Sequence, residues 1–267
     1  MNRHLQTALL AVYRGIAARG LLAGGPGRRL FEAAYFGYKR HFEAGSPKRL
    51  EHVIAEGSTV IDVGANIGFY AVPFARRVGP QGRVIAFEPE RANHRRLTAR
   101  IAAAGLADRA LLFEAAAAER SGRLRLAVNP DHPGDHKLAP DGAEGGVEIA
   151  AHALDDLLAA HPGPPVSLVK IDVQGAELRV IRGARDLIGR DRPALFVEID
   201  PDALASMGDS VEALIAMMDR LGYVGRVWTR HGQGAVLDAG NCTAIGNSYV
   251  DALFVPADTS SPTGTSS

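Results

Sequence analysis

Between residues 60 and 70 the chain reads VIDVGANIGFY. An apolar run around one carboxylate, Asp62, leads into Gly64, Asn66 and Gly68, a spacing that turns the chain and leaves backbone N–H groups bare of side chains. Such a turn, at the end of a strand in a parallel sheet, is where α/β proteins hold ligands. Asn66 occupies the position where a G-x-G-x-x-G fingerprint has its second glycine, which disfavours a pyrophosphate, and no Walker lysine follows for a nucleoside triphosphate. About 20 residues past the turn, VIAFEP ends in Glu88, placed to accept both hydroxyls of a ribose that lacks a 2′-phosphate. A glycine turn without the pyrophosphate glycine, joined to a ribose carboxylate, points to an adenosine whose 5′ substituent is not a phosphate chain. S-adenosylmethionine is the common one. The other reading makes Glu88 a cap on the helix that follows.

A second constellation stands in LVKIDVQGAEL, Leu168 to Leu178. With a strand period of two, Lys170 and Asp172 share one face and arrive together at the strand end. Asp172 is the first candidate for a general base or for a group that orients an acceptor. The alternative has Asp172 and Glu177 serving only as cap and first-turn residues of the next helix. A polar loop supplies the second candidate: in GDHKL, next to Asp135 and Lys137, His136 offers a near-neutral base on a lid, or else a solvated histidine. Carboxylates at adjacent strand ends, Asp172 with Glu198 and Asp200, raise the thought of magnesium or calcium. No Asn follows to complete an oxygen set, so no metal is expected.

The elements that must position these residues are legible in the hydrophobic pattern. From Thr59 onward, short runs rich in Val, Ile and Phe alternate with amphipathic segments: VIDVGA, a helix over about 69–78, VIAFEP, a helix over about 91–104, then ALLFEAA. This is the βαβ pattern of a parallel sheet covered on both faces. RLRLAV and VEIAAHAL read as strands flanking a turn-rich loop over 129–146. The alternation resumes with VSLVKIDV, a helix over about 176–188, LFVEID and a helix over about 210–221. YVGRVWTR and ALFVPA form a closing antiparallel pair around an irregular 231–251. Ahead of this domain, taken as 57–257, residues 1–56 read as an N-terminal helical extension. In it Leu9, Leu10, Tyr13 and Ile16 recur at helical spacing, suiting a helix packed on the domain, with a membrane-surface anchor as the other reading. Residues 258–267 are small, polar and expected to be disordered.

Composition narrows the partners. Lys plus Arg equals Asp plus Glu at 30 each, so no net field draws a phosphate backbone, and nucleic acid is not an expected partner. The single cysteine, Cys242, can form no internal disulfide and suits a reducing, cytoplasmic setting. No window approaches the roughly 20 apolar residues of a membrane span.

Taken together, VIDVGANIGFY, AFEPE with Asn93 and Leu97 behind it, AAAAERSGRLRL, LDDLL at 154–158, VSLVKIDVQGAELRVIRGA and RPALFVEID resemble the FkbM family of S-adenosylmethionine-dependent methyltransferases, in the family's order over about residues 59–200. The resemblance implies a class I methyltransferase fold: an α/β, Rossmann-like, seven-stranded mixed sheet with helices on both faces and a final antiparallel hairpin. It implies methyl transfer to a hydroxyl of a sugar, glycan, polyketide or other small molecule. It also implies that Asp62, Gly64, Asn66 and Gly68 surround the methionine part of S-adenosylmethionine, and that Glu88 binds its ribose. Where the family usually reads DVEGAE, this chain has Gln174. EAAAAER, after the third strand, offers mainly alanine for an adenine pocket. A nicotinamide-dependent oxidoreductase of Rossmann type, and a module that binds S-adenosylmethionine without chemistry, are the other classes kept open.

Overall fold

The computed structural model describes residues 47–129, 136–139, 145–229, 232–238, 245 and 249–257. The helix expected around Leu9 to Ile16, much of the 129–146 loop and the 258–267 tail lie outside the described residues. Strand β1 (Thr59–Val63) is buried along its whole length, as a β-branched run covered on both faces should be. It is followed by α1 (Ala71–Arg77), β2 (Arg83–Phe87), α2 (Arg91–Ala103) and β3 (Ala110–Phe113). Ahead of them, a 3-10 turn over Pro47–Val53 contributes Leu50 to the same core as Phe74 and Val78.

The chain then leaves this sheet. β4 (Ala115–Ala117), β5 (Gly122–Ala127), β6 (Lys137–Leu138) and β7 (Val147–His152) form a second sheet in the order β4-β7-β5-β6. ALLFEAA, read as one strand, is therefore two strands in two sheets, parted at Glu114. The last residue of VEIAAHAL, Leu154, opens α3 (Leu154–Ala160), with Ala153 as its N-cap.

β8 (Val166–Ile171) returns to the main sheet, followed by α4 (Glu177–Arg182), α5 (Arg185–Asp191), β9 (Ala194–Ile199), α6 (Pro201–Ser206), α7 (Val211–Arg220), β10 (Tyr223–Thr229), β11 (Gly232–Leu237) and β12 (Val250–Pro256). The single helix expected over 176–188 is broken at Gly183. A side chain there would stand 2.1 Å from the Ala118 carbonyl, so the chain turns where it passes the second sheet. α6 was not foreseen; Asp200 caps it through the N–H groups of Asp202 and Ala203, and Pro201 opens it.

Among the described residues the main sheet has eight strands, ordered β11-β10-β12-β9-β8-β1-β2-β3, one more than the class I pattern implied. β3, β2, β1, β8 and β9 are parallel; β12, β10 and β11 are antiparallel. The extra strand, GQGAVL, falls within the stretch read as irregular, because its glycines hide the alternation. The strand order reverses between β1 and β8, and the crevice at their carboxyl ends is where a ligand sits in such a sheet. The second sheet packs against the turns beyond β8 and α6: Ala116, Leu126, Leu138 and Ile149 meet Ala176 after β8 and Met207 after α6. Among the described residues no helix is long and apolar enough to cross a membrane.

Candidate functional site

The turn after β1 is held from β2, where the Phe87 carbonyl accepts the N–H groups of both Gly64 and Ala65 at 3.1 and 2.9 Å. Gly64, Asn66 and Gly68 have φ of +76°, +48° and +85°. Asn is among the few side chains that tolerate this region, and the Asn66 Oδ1 accepts the next N–H, that of Ile67, at 2.7 Å. The reason for Gly64 differs from the expected one. A side chain there would lie 1.9 Å from the carbonyl oxygen of Asp172, so the neighbouring strand, before any ligand, excludes it.

Glu88 turns toward this loop. Its Oε2 accepts the Asn66 N–H at 2.8 Å and its Oε1 the Glu90 N–H at 2.9 Å. Capping of α2 falls to Glu90, which accepts from Ala92 and Asn93, so the cap reading of Glu88 does not hold. Glu88 is 5% exposed, and burial pushes its carboxyl up to about 7, although the two amide donors work against this. Each oxygen retains a lone pair for a further donor, which is what a ribose diol requires.

Across the switch point, Asp62 lies opposite Lys170 in the β1–β8 register. Their side chains meet at 3.2 Å, and Lys170 also stands 3.4 Å from the Asp172 carboxylate. Asp62 and Lys170 are sealed beneath the turn, while the Asp172 side chain is 27% exposed. Asp62 thus acts on the turn from below, and Asp172 is the member of the trio that reaches the crevice.

The loop after β8 carries a second non-glycine left-handed residue, Gln174, at φ +55°. Its Nε2 donates to Glu198 Oε2 at 2.7 Å, a bond that a carboxylate at 174 could not donate. Gly175 passes 2.3 Å, measured from a notional side chain, from the Ala203 carbonyl. Glu177 does stand in the first turn of α4, the place the alternative reading gave it, and it is buried there at 1% exposure. Its Oε1 accepts the Gly175 N–H at 3.0 Å, and its Oε2 has no hydrogen-bond partner among the described residues. Burial, with the Asp172 charge adding, pushes its carboxyl up to about 7. A carboxyl raised this way stabilises the fold below its ordinary value of 4.5 and loses that contribution as pH rises through 7. Glu177→Gln is therefore expected to gain on the wild type, by up to about 3 kcal/mol, between pH 5 and pH 8. Chemical denaturation at the two pH values checks this, and a pH-independent difference would refute it.

His136 lies just before β6, and its Nδ1 accepts the Asn129 N–H at 3.1 Å. The neutral ring must then carry its proton on Nε2, so toward anything else it presents a donor and not a base. Asp135 lies outside the described residues. Of the carboxylates considered for a metal, Asp200 is occupied as the α6 cap and Glu198 is bonded to Gln174. Among the described residues no group of three or more His, Cys, Asp or Glu is placed to hold a metal ion.

One residue escaped the sequence reading, and the contacts of two others did. Glu114, taken as the start of an alanine stretch, stands directly after β3, with His94 and Arg91 of α2 at 3.8 and 4.0 Å. Gln174 was legible as a departure from DVEGAE and Glu177 as a cap or first-turn residue, but not their contacts, because Glu198 comes from β9 and the Gly175 N–H from the turn itself.

Comparisons agree with this architecture. The family model described as the methyltransferase FkbM domain matches residues 62–224. The methyltransferase sdnD of Sordaria araneosa is 28% identical over 154 residues, 46% of this chain and 59% of that protein. The AMB antimetabolite synthetase AmbE of Pseudomonas aeruginosa is 27% identical over 239 residues, 75% of this chain and 11% of that protein. The chain thus spans about three-fifths of one curated relative and about a tenth of the other. Among solved structures, a protein described as an rRNA methylase from Clostridium thermocellum superposes with a TM-score of 0.50 at 15% identity, covering 80% of this chain and 94% of its own. A methyltransferase FkbM from Methylobacillus flagellatus gives 0.46 at 17% identity, covering 84% and 54%. At 15% identity the first of these likenesses speaks for the fold alone, and the second carries no argument.

Proposed function

The chain belongs to the FkbM family of methyltransferases, and from that membership we propose that it moves the methyl group of S-adenosylmethionine to a hydroxyl of a sugar, glycan or small natural product. The observation that carries the reading is the pairing of Glu88 with the Asn66 N–H beside a bare glycine turn at the switch point. When bound, S-adenosylmethionine supplies an activated methyl on sulfur for a one-step in-line displacement. The chain's own task is then alignment, which can be worth up to about 7 to 11 kcal/mol of barrier.

In this reading Glu88 accepts from the ribose hydroxyls, and Gly64 to Gly68 line the methionine portion with Asp62 supporting them from below. Asp172 accepts the proton of the acceptor hydroxyl, or orients it, from the β8 side. His136 contributes at most an N–H donor from the second sheet. That sheet, packed against the turn after β8, forms the acceptor side. The single cysteine favours a cytoplasmic setting.

Calorimetry against S-adenosylhomocysteine and NAD tests the cofactor: binding of the first and not the second is expected, and the reverse would make the chain an oxidoreductase. Incubation with labelled S-adenosylmethionine and a cell extract then identifies the acceptor. With that acceptor saturating, Asp172→Asn is expected to lower kcat by about 10² to 10⁴ while S-adenosylhomocysteine binding changes little. Unchanged turnover would remove Asp172 from the chemistry.

A further inference from the structure

We propose that Lys170 is a positioning residue that joins the cofactor turn and Asp172 into one unit across the switch point. The inference rests on the function proposed above. The backbone ladder between β1 and β8 ends at Val63 and Ile171, with the Asp172 N–H to the Val63 carbonyl as its last bond. The residues that meet a ligand, Gly64 to Gly68 on one side and the Asp172 side chain on the other, lie beyond it.

The Lys170 side chain holds together what the ladder does not. Its Nζ donates to the Gly64 carbonyl at 2.8 Å and the Val63 carbonyl at 3.3 Å, and stands 3.2 Å from Asp62 Oδ1 and 3.4 Å from Asp172 Oδ2. The Tyr70 ring, at the far end of the same turn, lies 5.3 Å from the ammonium. The residue is 2% exposed.

Strength alone does not call for such a group. A buried ion pair is commonly no better than a packed apolar pair of the same volume, whereas removing one partner is costly. What an ammonium adds is direction: its N–H donors hold the Val63 and Gly64 carbonyls while its charge stands between the Asp62 and Asp172 carboxylates. Arginine, with a wider, planar guanidinium in place of a compact ammonium, does not reproduce that geometry.

Binding of S-adenosylhomocysteine by calorimetry, with ligand-free melting alongside, tests the assignment on the wild type, Lys170→Met, Lys170→Arg and Leu168→Ala. Leu168 lies on the same strand, fully buried, and its truncation serves as a purely structural control. Lys170→Met and Lys170→Arg are each expected to lose tenfold or more in affinity, while Leu168→Ala loses thermal stability and binds within twofold of wild type. Equal affinity for wild type and a folded Lys170 variant overturns the proposal. Failure of the wild type itself to bind overturns the functional reading beneath it.

If the Lys170 variants do not fold, lysine-selective ¹⁵N labelling answers on other proteins. The chain has only four lysines, Lys39, Lys48, Lys137 and Lys170, so the slowly exchanging ammonium of the buried one is assignable. That signal is expected to shift on adding S-adenosylhomocysteine and, without ligand, in Asp172→Asn. A signal indifferent to both leaves Lys170 a strand tie and sinks the inference.

Discussion

Replacing Glu88 with alanine is expected to weaken S-adenosylhomocysteine binding about a hundredfold. Two ribose hydroxyls donating to one carboxylate are worth about 1.5 kcal/mol or more each, and about 3 kcal/mol corresponds to two orders of magnitude. The change also removes the acceptor of the Asn66 N–H, loosening the turn that holds the rest of the ligand. pH gives an independent check. With the ligand-free carboxyl near 7, lowering pH protonates it and removes acceptor capacity, so affinity falls about tenfold from pH 8 to pH 6 and further below. Stability moves the other way. A raised carboxyl stabilises the fold below 4.5 and stops doing so as pH climbs through 7. The ligand-free wild type should thus melt higher at pH 5.5 than at pH 8 while binding less well. Glu88→Gln flattens this carboxyl's contribution to both trends. Affinity that is level across this range in the wild type would exclude Glu88 as the ribose acceptor.

Gly64→Ala is expected to cost about 3 kcal/mol or more, lowering the melting midpoint by about 6 to 12 °C in a protein of this size. The left-handed backbone alone accounts for about 1 to 2 kcal/mol. The remainder comes from a methyl 1.9 Å from the Asp172 carbonyl, where both sides are backbone and neither can turn away. Gly105 is the matched control, with φ +68° and nothing within 4 Å of an added side chain. Gly105→Ala should show only the backbone component. Because the relief of the clash must part β1 from β8, Gly64→Ala should also abolish S-adenosylhomocysteine binding, which Gly105→Ala leaves intact. Equal melting losses in the two variants would mean that the strands yield more easily than their packing implies.

These two residues mark how far local pattern carries. Glu88 was readable because its place depends on a strand period and a loop length, both local. Gly64 was readable as a turn residue, but its reason was not, since the atom that excludes a side chain belongs to a residue more than a hundred positions away. Gln174 and Glu177 went the same way. One looked like a lost carboxylate and proves to donate to Glu198; the other could be read as a cap or first-turn residue, and it stands in the first turn but buried, facing no donor on Oε2 among the described residues.

The second sheet shows the limit for whole elements. RLRLAV and VEIAAHAL alternate as strands do, yet alternation reports which face of a strand is apolar and says nothing of which strand pairs with it. Ala115–Ala117 carries no alternation at all, and only its parallel pairing with Ala150–His152 defines it. GQGAVL was hidden for a different reason, its glycines having no side chains with which to mark a face.

By itself, then, the sequence determined the parallel α/β frame, the glycine turn, the carboxylate about 20 residues beyond it and the strand bearing Lys170 and Asp172, because each follows from short-range periodicity and from what φ/ψ space allows. Only the tertiary structure decided which of these groups meet. It set Asp62 and Lys170 under the turn, turned Glu88 toward Asn66, engaged His136 Nδ1 with a backbone amide and brought Asp172 against Gly64. Those contacts join segments far apart in the chain, and their energies come from burial and from distances that no local pattern encodes.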